Sequence, residues 1–61
     1  METLLYAYWN DQVSYPTVSK STLQKYANKG LIEVNHINRH GNTVYWLTQK
    51  GLDLLYERGL L

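Results

Sequence analysis

The 61-residue chain has no cysteine, no phenylalanine and only one proline. Without cysteine no disulfide can brace it, and the absence fits a reducing cytosol. A chain this short buries only about 60 % of the surface its unfolded form exposes. Small scaffolds of this kind usually rely on disulfides, a metal or oligomerisation, and the first of these is excluded. No apolar run approaches the roughly 18 residues that a membrane span needs. The opening Met1-Glu2-Thr3-Leu4-Leu5 lacks the basic flank and small-residue cleavage site of a signal peptide. The expectation is a cytoplasmic protein with no membrane partner, made of one small domain over residues 1–61.

Chemistry-bearing clusters are also scarce. No glycine-rich phosphate loop occurs, and no grouping of serine, histidine and carboxylate suggests a nucleophile with its base, so an enzyme is not expected. His36 and His40 are four apart, a metal-binding spacing on a helix. They fall in a predicted strand and turn, whereas a structural zinc wants four ligands. Neither a metal nor a cofactor is expected.

The charge is informative through its distribution. The formal net charge is only +1. Between residues 17 and 50, however, Lys20, Lys25, Lys29, Arg39 and Lys50 face Glu33 alone, a local +4, while both ends of the chain are acidic. A basic block between acidic ends suits an anionic ligand on one face.

Apolar periodicity predicts a first helix over residues 2–9, with Leu4, Leu5, Tyr8 and Trp9 on one face and Asn10-Asp11 ending it. Pro16-Thr17 opens a second helix, since proline is favoured in a first helical turn. It should run over residues 17–29 and stop at Gly30, a left-handed cap. Val18, Thr22, Leu23, Tyr26 and Ala27 gather on one side. The other side shows Thr17, Lys20, Ser21, Gln24, Lys25 and Asn28, without a carboxylate. Residues 31–37 read as a strand and 38–42 as a turn, where Gly41-Asn42 suits positive φ. Residues 43–47 read as the returning strand. Thr48 caps a third helix, from Gln49 to about Arg58, with Leu52, Leu55 and Tyr56 inward. The fold class is α+β, in the order helix, helix, β-hairpin, helix.

Two words within this pattern carry a resemblance. Lys29-Gly30-Leu31-Ile32 and Tyr45-Trp46-Leu47-Thr48-Gln49-Lys50-Gly51, separated by one hairpin, resemble the winged helix-turn-helix regulators of the PadR and MarR type. The likeness covers residues 17 to about 58. It implies that helix 17–29 lies in a major groove and that wing 38–42 touches the adjacent backbone or minor groove. The departure lies upstream. Family members have a positioning helix, often with a short strand, where only residues 10–16 are available here. Either helix 2–9 takes that role or the element is lost.

The outward helix face has the chemistry for duplex DNA. Glutamine and asparagine pair with adenine edges and lysine with guanine or phosphate, while Ser21 and Thr17 hydroxyls suit phosphate oxygens. Arg39 and His40 stand at the hairpin tip, where arginine can enter a narrow minor groove; histidine is mostly neutral at pH 7. The reading that follows is a sequence-specific regulator of transcription acting on double-stranded DNA as a homodimer. Its dimer surface would comprise Leu4, Leu5, Tyr8 and Trp9 with Leu54, Leu60 and Leu61. An ordinary solvated helix face would also carry lysine, glutamine and serine. The rival reading is a protein-docking module or small inhibitory factor, of phage or plasmid type. Its surface would be Trp9, Tyr45 and Trp46, the last turned outward by strand alternation.

Overall fold

The computed structural model describes residues 1–61 as three helices and a three-stranded antiparallel sheet. In chain order these are α1 (Glu2–Asn10), β1 (Val13–Ser14), α2 (Lys20–Asn28), β2 (Ile32–Ile37), β3 (Thr43–Leu47) and α3 (Gln49–Glu57). No helix is long and apolar enough to cross a membrane.

α1 ends where Asp11 turns into the left-handed region at φ 67°, which aspartate tolerates better than most residues. The chain then forms β1. The sequence gives no periodic signal for a strand only two residues long, and it was not expected. Val13 pairs with Tyr45 and Ser14 with Val44. This makes β3 the central strand, in the sheet order β1-β3-β2.

α2 is shorter at both ends than residues 17–29. Ser19, in extended conformation, caps it: its Oγ accepts the Thr22 backbone N–H at 3.3 Å and donates to Thr22 Oγ1 at 2.9 Å. A serine with its oxygen on the third amide is a stronger start signal than proline. Thr17 therefore stands in the turn ahead of the helix, where the Val18 N–H donates to the Ser14 carbonyl. At the other end Gly30 adopts φ +74°. Its N–H donates to Ala27 O at 2.9 Å and that of Leu31 to Tyr26 O at 3.1 Å. This paired closure satisfies two of the helix's last carbonyls and needs a residue with little left-handed penalty.

The β2–β3 turn is held by Asn38. Its Oδ1 accepts the backbone N–H groups of His40 (2.9 Å) and Asn42 (3.1 Å), and the Gly41 N–H donates to its carbonyl. Only Gly41 takes positive φ, at 80°, so Asn42 does not share that role. Three residues, Arg39, His40 and Gly41, thus form a tip closed by the Asn38 N–H to Asn42 O bond of 2.9 Å, a common three-residue hairpin geometry.

The core comprises Leu4, Ala7, Val13, Leu23, Leu31, Ile32 and Leu55. Leu4 is fully buried, so it cannot belong to a dimer surface. Leu5 and Leu54 also pack against this cluster. Both are half-buried, so each keeps part of its side chain at the surface. Tyr56, expected inward, is 59 % exposed, while Leu52 is half-buried.

The two motif words meet at one joint. The Thr48 hydroxyl donates to Gly30 O at 2.7 Å and accepts the Gly51 N–H at 3.0 Å. The Thr48 backbone N–H donates to Leu31 O at 3.1 Å. The end of α2 is therefore tied to the start of α3 through a residue that also caps α3. Thr48→Val keeps the shape and removes the hydroxyl, leaving both partners without it. The expected loss is about 1–3 kcal/mol in urea denaturation, and Thr48→Ser should recover most of it. Equal stability of the valine variant and the parent would show that the joint contributes nothing.

Candidate nucleic-acid interface

α2 meets the body of the protein through Leu23, which is buried, and through Thr22, Tyr26 and Ala27, which are half-buried; Val18, also half-buried, packs there from the preceding turn. Its other side is open, with Lys20, Ser21, Gln24, Lys25 and Asn28 all exposed. Five of the six helix-face residues read from the sequence thus sit together on α2, and Thr17 lies in the preceding turn. No acidic residue occupies the first turn. Lys20 is the first residue of the helix, where the backbone dipole disfavours a cation. Its ammonium lies over the Tyr15 ring, whose centroid is 5.0 Å from Nζ, within range of a cation–π attraction. Tyr15 had no assigned part in this surface; its identity as a ring just before a lysine-bearing turn was the only available signal.

The N-terminal half of α2 faces the hairpin. Between them runs a groove of about 240 Å³, lined by Tyr15, Lys20 and Gln24 on one side and by Gly41, Asn42 and Thr43 on the other, with Leu23 and Tyr45 at its base. Lys20 and Gln24 therefore sit beside the hairpin. Arg39 and His40 are exposed at the tip, and neither lines the groove. Gln24 Nε2 donates to Asn28 Oδ1 at 2.8 Å, one turn along.

Lys50, counted in the basic block, lies elsewhere. A β-carbon placed on Gly30 would stand 3.9 Å from its Nζ, so its ammonium covers the C-terminal end of α2, where the dipole favours a cation. His36 and His40 belong to no group of three or more histidine and acidic side chains able to hold a metal.

The proposed interface residues divide. Leu4 is committed to the interior and Leu5 and Leu54 are half-buried against it, whereas Tyr8, Trp9, Leu60 and Leu61 are exposed, Trp9 most of all at 70 %. Trp46 is turned outward as strand alternation requires, and its Nε1 donates to Glu33 Oε1 at 2.9 Å across the β2–β3 ladder. Tyr8 and Trp46 share a second, shallower groove with Leu47 and Leu52, on a different side from the basic face. Tyr45 is half-buried against the core and contributes little to that surface.

The fold and this surface define a small α+β domain with an exposed basic helix beside a β-hairpin. No protein-family model, curated protein or solved structure matches the chain.

Proposed function

We propose that the chain is a minimal winged helix in which α2 enters the major groove of double-stranded DNA and the β2–β3 hairpin serves as the wing. The observation that carries this reading is the carboxylate-free outer face of α2, opening onto a groove shared with the hairpin. A duplex presents edge groups to the helix and phosphates to the groove at the same time, and a helix with a flanking ribbon beside it can meet both. Two further features support it. The sheet order β1-β3-β2 and the Thr48 joint bring the two motif words of the winged-helix resemblance into contact. The departure remains upstream, where residues 15–18 form a single turn and no helix.

Such a domain acts as a transcriptional regulator, and as a homodimer it reads two half-sites about one DNA turn apart. With Leu4 withdrawn into the core, the exposed Tyr8, Trp9, Leu60 and Leu61, with the half-buried Leu5 and Leu54 beside them, are what this reading leaves to a dimer surface.

The test is titration with random duplex DNA. Binding is expected for the parent chain. Lys20→Ala should weaken it for all sequences alike and reduce the slope of log affinity against log salt by about one. A parent chain that fails to bind would refute the reading. Trp46→Ala should leave the titration unchanged. A variant with that substitution that loses DNA would place the contact on the opposite side of the hairpin and favour the rival docking surface around Tyr8 and Trp46.

A further inference from the structure

The hydrogen bond between Gln24 and Asn28 has a consequence for base selection, on the reading that α2 meets duplex DNA. A primary amide offers one acceptor oxygen and two N–H donors. In α2 one of the two Gln24 Nε2 hydrogens is committed to Asn28 Oδ1. What remains for a ligand is one donor and one acceptor, side by side in the amide plane. Both residues are exposed, and no other hydrogen bond engages Gln24 Oε1.

In the major groove adenine shows an acceptor, N7, beside a donor, N6. That pair matches the remaining amide edge. Guanine shows two acceptors, N7 and O6, and would need both Nε2 hydrogens. One of these is already taken, and turning the amide to free it would break the bond to Asn28. We propose that Gln24 selects adenine over guanine, and that Asn28 is the positioning residue that fixes the amide in the selecting orientation. A pair serving only to support the helix, as residues four apart commonly do, would leave base preference untouched.

The experiment is selection of the full chain on a randomised duplex library. It is followed by affinity measurements on the best site and on the same site with one A·T pair replaced by G·C. The parent should enrich adenine at one position of each half-site and discriminate there by about tenfold. Gln24→Ala should lose the preference at that position alone. Asn28→Ala should let the amide rotate, lowering discrimination about twofold, to about fivefold, because an exposed pair four apart holds its geometry by only about 0.2–0.5 kcal/mol, while the salt slope stays the same. Asn28→Asp retains an acceptor for Nε2 and should retain the discrimination, although its charge weakens every duplex alike. Circular dichroism checks that each variant is folded. Salt-dependent binding without an adenine preference, or with one that Asn28→Ala does not change, overturns this inference and leaves the DNA reading standing. Absence of salt-dependent binding overturns both.

Discussion

Gly51→Ala should leave most of the chain unfolded. In an ordinary helix interior the same substitution stabilises, because alanine is favoured over glycine by about 1 kcal/mol. Here the sign reverses. Gly51 is buried in the first turns of α3, and a β-carbon there would overlap the carbonyl oxygen of Leu31 and stand 2.7 Å from Leu47 Cδ1. The leucine methyl can move, but the carbonyl cannot move cheaply. It accepts the Thr48 N–H, and the neighbouring Gly30 carbonyl accepts the Thr48 hydroxyl. Separating α2 from α3 enough to admit a methyl group would break this joint and loosen Leu31 and Leu55 in the core. Overpacking alone costs about 1–3 kcal/mol, and each buried polar group left unpaired adds about 1–3 kcal/mol. A domain of this length has only about 3–5 kcal/mol to lose. The measurement is thermal melting by circular dichroism. A cooperative transition at or above the parent's temperature would disprove the argument.

Raising salt from 50 to 200 mM should cost about 40-fold in DNA affinity per chain. Lys20, Lys25 and Arg39 are the exposed cations of α2 and the hairpin tip. If each neutralises one phosphate, the slope of log affinity against log salt is about −2.7, and a fourfold rise in salt then gives that factor. The Lys20→Ala/Lys25→Ala double variant retains one such contact. Its slope should fall to about −0.9, and its loss over the same range to about threefold to fourfold. Lys50 and Lys29 provide the internal comparison. Lys50 covers the C-terminal end of α2 and Lys29 stands at that same end, away from the groove that Lys20 lines, so replacing either should alter the slope much less. Equal slopes for Lys20 and Lys50 variants would mean that the cations act as a diffuse cloud and that α2 has no privileged orientation toward phosphate.

The parts of the fold that sequence made legible are those where one residue type has a single strong physical reason to be present. Gly30 and Gly41 mark positive φ, Thr48 marks a cap, and the β-branched and aromatic run at 43–47 marks a strand. The hairpin and α3 follow from these. The outer face of α2 was readable for the same reason, since helical spacing alone separates Lys20, Ser21, Gln24, Lys25 and Asn28 from Leu23. What was not legible depends on partners distant in the chain. Val13 and Ser14 are a strand only because Tyr45 and Val44 lie beside them. Leu4 reads as surplus apolar surface because the elements that α1 packs against, β1, β3 and α3, cannot be placed by periodicity. The start of α2 turned on a competition between two plausible signals, Pro16 and Ser19, which only the cap geometry decides. Tyr15 entered the groove through its approach to Lys20, and sequence spacing gives no ring-to-ammonium distance.

The irregular register of β2 bears on how the protein behaves when concentrated. β2 is an outer strand of the sheet, and all of its residues after Ile32 are exposed, including Val34 and Ile37. A straight strand of that composition would be a template for the next chain. The ladder shifts between Val34 and His36, so that Asn35 has no partner across β3. This kink interrupts the row of backbone donors and acceptors along the free edge, and Glu33 adds a charge beside it. Bulges and charged side chains are how natural sheets keep their edges from zipping together. The irregularity at Asn35 therefore removes the straight, continuous edge that a second chain would need for pairing along β2.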